Sequence, residues 1–280
     1  MTTYIIGVGL IGGSLALSLK AREISSTIIG SDSSKENEAT ALELGIIDKV
    51  VTLDEGIAQA DVIILAIPVS AAPAMAVKIL NKLHPKQVLL DVGSIKSEIC
   101  EMVTMHAKRE QFVATHPMWG TEYSGPKAAQ RDVFENRTVV LCDGERSSEQ
   151  ALQCVRHIYK ALGMNIIEMN SEDHDLHAAY ISHISHITSF ALAITVLEKE
   201  REEQHIFDMA ATGFESTVRL AKSSYTTWIP VLLRNKFNVL DVLREHIHQL
   251  QLMRKAIEQD DVEQLKEMIT RANTIQRIID

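Results

Sequence analysis

Two kinds of hydrophobic patterning alternate over the first 170 positions. Short β-rich apolar runs (Tyr4-Ile5-Ile6, then 27–30, 61–67, 87–92, 112–114, 137–141 and 164–168) are separated by stretches such as 71–83 and 148–162. In those stretches the apolar residues return at helical spacing. The runs at 61–67 and 87–92 are apolar without alternation, as expected of strands covered on both faces of a parallel sheet. After Asn170 the strand-like runs stop and helical periodicity continues to the end. The pattern predicts an α/β chain: a Rossmann-type parallel-sheet domain over 1–170, then an all-α domain over 171–280. Ser171 is the expected N-cap at that boundary, with Asp173 and Asp175 in the first turn. From Asn235 on, two long amphipathic helices, broken near Gln259-Asp260-Asp261, carry Leu, Ile and Met stripes that suggest packing against a second copy, a homodimer.

The first strand runs straight into Gly7-Val8-Gly9-Leu10-Ile11-Gly12, and a helical pattern with Leu15 and Leu19 follows. In G-x-G-x-x-G the first glycine allows a tight turn, the second admits a pyrophosphate, and the third lets helix and strand close on each other. The N–H groups at Leu10 and Ile11 open that helix toward the phosphates. The second strand ends at Ser31-Asp32, about twenty residues beyond the last glycine, where the fingerprint needs a carboxylate for the adenosine ribose. Asp32 would repel a 2′-phosphate, so the expected cofactor is NAD, with Ser33, Ser34 and Lys35 as residues able to soften that preference.

In an open α/β sheet ligands sit at the carboxyl ends of the strands. Those ends carry Ile67-Pro68-Val69-Ser70, Gly93-Ser94-Ile95-Lys96 and His116-Pro117. Proline cannot extend a ladder, so the run at 112–114 is expected to give way to a loop at His116, leaving an imidazole at the mouth of the sheet. A histidine there is a candidate for moving a proton near neutrality, against the plainer reading of a hydrogen-bonded loop histidine. Ser94 is placed to be its neighbour, or else to cap a helix with Glu98 nearby.

The first helix of the second half holds His174, His177, His183 and His186. His183 and His186, three apart, share a face and could ligate a metal, but no H-E-x-x-H or carboxylate-x-x-His pairing accompanies them, so no metal site is expected. They are better read as lining a wet crevice or satisfying one another in the core. Arg219 sits among Val218, Leu220 and Ala221, where a guanidinium needs a carboxylate, from a ligand or from Glu215 or Glu122.

Composition narrows the classes. The 280 residues are 46% hydrophobic and 23% charged, ordinary for a chain with a real core. With 37 acidic against 28 basic residues the formal charge is −9, and there is no basic run, which argues against nucleic acid. Cys100, Cys142 and Cys154 are odd in number and form no C-x-x-C pair, as expected of a cytoplasmic protein. No uninterrupted apolar run reaches the ~20 residues of a membrane span, so no membrane partner is expected.

Taken with the glycine loop, Asp91-Val92-Gly93-Ser94-Ile95-Lys96, Thr115-His116-Pro117-Met118-Trp119-Gly120-Thr121-Glu122, Ser182-His183-Ile184-Ser185-His186 and Gly213-Phe214 leading to Arg219 resemble the prephenate/arogenate dehydrogenase family over nearly the whole chain. The chain departs from the family's pattern in reading His-Ile-Ser-His for His-Leu-Pro-His, and Trp119 after His-Pro-Met. The resemblance implies oxidative decarboxylation of a cyclohexadienyl acid, with hydride passing to NAD. His116 would accept the ring hydroxyl's proton, Ser94 would hold that imidazole near the nicotinamide, and Arg219 would grip a carboxylate. Ser182, His183 and His186 would contact the ring or its side chain, Glu122 would gate the entrance, and Thr121 and Trp228 would complete the substrate positions. Prephenate is the expected substrate and arogenate the alternative. A two-domain 3-hydroxyacid dehydrogenase would need a lysine on the first long helix, where 171–197 has none. A nucleotide-binding sensor without turnover is the non-enzymatic reading.

Overall fold

A computed structural model describes residues 1–203 and 205–278. The first part alternates strand and helix: β1 (Thr2–Ile6), α1 (Leu10–Ala21), β2 (Thr27–Ser31), α2 (Lys35–Glu43), β3 (Lys49–Val50), α3 (Leu53–Gln59), β4 (Val62–Leu65), α4 (Ala72–Lys82), β5 (Val88–Asp91) and α5 (Ser97–Val103). It continues with β6 (Phe112–Pro117), β7 (Thr138–Cys142), α6 (Glu149–Ala161) and β8 (Asn165–Met169). Helices then follow one another: α7 (Ser171–Ala178), a π turn (Ala179–His183), α8 (Ile184–Glu200), α9 (Thr212–Val218), α10 (Tyr225–Arg234), α11 (Lys236–Glu258) and α12 (Val262–Asn273). The chain forms two compact units, Met1–Asn235 and Lys236–Asp280.

One eight-stranded sheet runs in the order β3-β2-β1-β4-β5-β6-β7-β8. All pairings are parallel except β6 with β7. Alternate strand residues feed two cores. Ile5, Ile64, Leu90 and Val113 meet Leu15 and Leu19 of α1 and Val155 and Tyr159 of α6, while Tyr4, Ile63, Leu89 and Ala114 meet Ile57, Ile79 and Ile99 of α3, α4 and α5. Strands buried on both faces account for the unbroken apolar runs. Strand order reverses between β1 and β4, so the crevice for a ligand opens at their carboxyl ends.

Two local expectations change, and one strand has no signal in the sequence. The two-residue strand β3 is too short to carry a periodic signal. β6 does not stop at Ala114 but reaches Pro117, because its pairing to β5 ends at Ala114 while its antiparallel pairing to β7 continues. Past that point the proline has no strand on the β5 side that would need its missing N–H. At the start of α7 the cap is Asn170, whose side chain accepts from the Asp173 amide at 2.7 Å, rather than Ser171.

The run Ser171–Glu200 is long and apolar enough, by length and composition, to cross a membrane, and only 11% of its most apolar window is buried within this chain. It also carries the buried polar residues His174, Asp175 and His183. In the second unit, Asp260 adopts φ 51° and Asp261 caps α12 by accepting from the Gln264 amide, which makes the break between the two long helices.

Candidate active site

The glycine loop is built for close approach. Gly7 has φ +93°, and a Cβ there would lie 2.3 Å from the Ala66 carbonyl oxygen; a Cβ on Gly12 would lie 2.0 Å from that of Gly7. Gly9 faces open space, and as the N-cap of α1 it places no side chain over the amides of Leu10 and Ile11 that open the helix. Asp32 accepts from the Val8 amide (3.0 Å), the Ser34 amide (2.9 Å) and Asn37 Nδ2 (3.2 Å), which ties the end of β2 to the loop. Glu38 accepts from the Asp32 amide at 3.1 Å and puts a second carboxylate beside the first. An NAD pyrophosphate and adenosine ribose fit these residues, with Ile67, Pro68 and Ser94 on the loops after β4 and β5.

Below the mouth of the sheet lies an ion pair with no exposure to speak of: Lys96 Nζ donates to Asp91 and to the Thr115 carbonyl (2.8 Å). Asp91 also accepts from the Gly93 and Thr115 amides. The pair therefore ties β5, the Ser94 loop and β6 together directly beneath His116.

His116, partly buried near the end of β6, places Nδ1 2.8 Å from Nε2 of His174. Nδ1 of His174 lies 2.8 Å from Asp175 Oδ1, and the Asp175 carboxylate accepts the Lys96 and Ser97 amides at 2.8 and 2.9 Å. The partner of the His116 ring is thus His174 of α7, not Ser94 as expected from the sequence. Nor does Ser94 cap α5: that helix starts at Ser97, and Asp175 supplies its capping carboxylate from another element. Burial, followed by the neighbouring His174, Lys96 and His183, holds the His116 imidazole well below its ordinary 6.5. The ring is therefore neutral at physiological pH.

The π turn directs His183 into the core, where it is 1% exposed. Its Nδ1 lies 3.2 Å from Nδ2 of the buried Asn235, which also donates to the Asp175 carbonyl at 2.6 Å. Burial lowers the His183 pKa to about 4. Ser182 supplies the carbonyl oxygen 3.0 Å from His186 Nδ1. Trp228 of α10 stacks on His186 at 3.4 Å between centroids and meets His183 edge-on at 5.9 Å. His186 is pushed down by burial against the bond to Ser182, and Arg219 adds to the lowering. Arg219 Nη1 lies 3.0 Å from Glu122 Oε2, with Arg219 half-exposed and Glu122 partly buried. The Glu122 carboxyl is held low by its own backbone amide and by Arg219. Thr121 Oγ1 accepts from the Tyr123 amide at 3.3 Å and shapes the turn that carries Glu122.

Of the residues named from sequence, His116, His183, His186, Trp228, Arg219 and Glu122 form one chain of contacts and electrostatic neighbours within the first unit. His174, Asp175 and Asn235 had no site role from sequence. Their signal was present in part, since His174, Asp175, Ala178 and Ala179 share the buried side of one helical run.

A doubly wound parallel sheet with a glycine loop at its switch point places the chain in the class of dinucleotide-binding proteins, with His116 on the same carboxyl edge of that sheet. Family models for prephenate dehydrogenase match the chain twice: the nucleotide-binding domain over residues 15–168 and the dimerization domain over 170–271. The chain belongs to the prephenate dehydrogenase family. It is 34% identical to a prephenate dehydrogenase of Bacillus subtilis over 267 residues, 94% of this chain and 72% of the relative. A cyclohexadienyl dehydrogenase of Zymomonas mobilis is 30% identical over 267 residues, 94% of this chain and 90% of the relative. A crystal structure of prephenate dehydrogenase from A. aeolicus in complex with hydroxyphenyl propionate and NAD+ superposes with a TM-score of 0.90 at 28% identity, covering 100% of this chain and 98% of that one.

Proposed function

We propose that this chain catalyses the NAD-dependent oxidative decarboxylation of prephenate to 4-hydroxyphenylpyruvate, a step of tyrosine biosynthesis. The observation that carries the assignment is the neutral His116 imidazole at the carboxyl end of β6, on the sheet edge that also carries the glycine loop, in a chain of this family. When bound, NAD accepts the hydride from the substrate's carbinol carbon. His116 takes the proton of the ring hydroxyl as its O–H bond breaks, and returns it to the ring oxygen once loss of carbon dioxide has made the ring aromatic. Aromatisation supplies the driving force, so the protein's work is to orient and polarise.

Arg219 holds a substrate carboxylate, exchanging Glu122 for it as the ligand enters; its half-exposed guanidinium supports this role. Ser182, His183, His186, Thr121 and Trp228 line the substrate's path, and Ser94 lies between substrate and nicotinamide. Asp32 and Glu38 together disfavour a 2′-phosphate, so the enzyme prefers NAD to NADP.

Residues 171–280 form the substrate-binding and dimerisation part, and residues 1–170 the dinucleotide-binding part. A homodimer through the C-terminal helices is supported by the match to a dimerization domain and by exposed Ile194 and Leu197 on α8, Ile229 and Leu233 on α10 and Leu250 and Ile257 on α11. A cytoplasmic setting is supported by three free cysteines. The test is the rise in near-ultraviolet absorbance of reduced nicotinamide with prephenate and NAD, compared with arogenate and with NADP. Turnover of arogenate in preference to prephenate would overturn the substrate, and no turnover of either would overturn the assignment.

A further inference from the structure

We propose that His174, Asp175 and Asn235 are positioning residues that hold the two active-site imidazoles in opposite tautomers, His116 as a proton acceptor at Nε2 and His183 as a proton donor at Nε2. The inference deepens the reading of His116 as the base and rests on it.

Asp175 anchors both branches of the network. Burial would raise its carboxyl, but bonds from His174, Ser97 and the Lys96 amide outweigh burial and keep it ionised. A carboxylate only accepts, so the His174 nitrogen 2.8 Å away, Nδ1, carries the proton. A neutral imidazole protonated at Nδ1 has a bare lone pair at Nε2. That lone pair lies 2.8 Å from Nδ1 of His116, with the rings edge to face at 66°, so Nδ1 of His116 is its donor. The remaining nitrogen of His116, Nε2, is left as a lone pair able to take a hydroxyl proton.

A second branch leaves the same residue. The backbone carbonyl of Asp175 fixes the orientation of the Asn235 amide, because only Nδ2 can donate to it at 2.6 Å. The other N–H of that group faces His183 Nδ1 at 3.2 Å, which must then be unprotonated. The proton of His183 accordingly sits on Nε2. The two imidazoles are thereby assigned complementary roles toward a hydroxy acid: one accepts from the hydroxyl being oxidised, the other donates to a carbonyl or carboxylate oxygen. When His116 takes the proton, its Nδ1–H bears on His174 and through it on the Asp175 carboxylate. The new charge is met by an anion through one intervening ring.

The test is a long-range 1H–15N spectrum of histidine-labelled protein with NAD bound and no substrate. The His116 and His183 signals are identified by their loss in His116→Asn and His183→Gln. The expected result is protonation of Nδ1 on His116 and of Nε2 on His183 at neutral pH; the reverse tautomer on either ring overturns the proposal. His174→Phe is expected to give a mixed His116 tautomer and to lower kcat by about 100-fold with little change in KM, while His174→Gln, which keeps an acceptor toward His116, restores most of it. An unchanged kcat and tautomer in His174→Phe also overturns the proposal. Should that variant not fold, the wild-type spectrum decides alone. Because the tautomers are read without turnover, a wrong substrate assignment leaves this result standing.

Discussion

Replacing His183 with glutamine should flatten the acid side of the stability curve. The native ring is 1% exposed and burial holds its pKa at about 4, against an ordinary 6.5. Unfolding returns the ring to water and to its ordinary value. Between those two values the unfolded chain binds a proton that the native chain does not, so this group's contribution to stability is intact above about 6.5 and is lost as pH falls toward 4. At about pH 5, a unit and a half below the unfolded value, the loss amounts to about 2 kcal/mol. Glutamine titrates in neither state, so the loss between about pH 7.5 and pH 5 should be smaller in the variant by that amount.

The assay is urea unfolding at both pH values, followed by tryptophan fluorescence. Trp119 and Trp228 both lie in the first compact unit, so the signal reports on the unit that contains His183. Only the difference of differences matters, since the substitution also changes packing at every pH. Some slope should persist in the variant, because burial also lowers His116 and His186. Equal pH slopes in the two proteins would refute the buried, neutral His183.

His116→Asn should lower kcat by about two orders of magnitude or more with a modest change in KM, as expected when a general base is lost; a KM effect alone would remove it from the chemistry. Arg219→Ala should raise KM, by the equivalent of roughly 2 to 5 kcal/mol if the bound carboxylate is desolvated. Its half-exposed pair with Glu122 should cost less than about 1 kcal/mol of stability, so a large drop in urea midpoint would mark Arg219 as structural. Lys96→Met leaves the buried Asp91 carboxyl without its cation and should destabilise the protein by about 3 to 5 kcal/mol in the same unfolding assay; a loss under about 1 kcal/mol would mean the pair is dispensable.

Much of the frame was legible in the residue order. The spacing Gly7, Gly9, Gly12 with Asp32 specified the phosphate turn because its demands are local: a positive φ at Gly7 and a backbone contact at Gly12 that no side chain allows. His116 stands out in the sequence as a candidate because the proline after it ends the apolar run and leaves an imidazole at the strand's end, where a hydrogen-bonded loop histidine is the plainer reading. What that strand does there was misjudged, since its length depends on which neighbour continues. β5 stops pairing at Ala114 and β7 does not, and neither limit is written in residues 112–117. The family resemblance implies Ser94 as the partner of His116, but the hydrogen bond at Nδ1 goes to His174, 58 positions away.

The sequence by itself determined the alternation of strand and helix, the dinucleotide turn, the candidate imidazole and guanidinium, and the family. These rest on periodicity, on steric limits at single positions, and on motifs that survive in one dimension. Tertiary structure alone decided that one carboxylate, Asp175, would cap α5, orient His174 and, through its carbonyl, orient Asn235. Hydrogen bonds join groups that packing brings within about 3 Å, and a chain's order does not say which distant helices will meet.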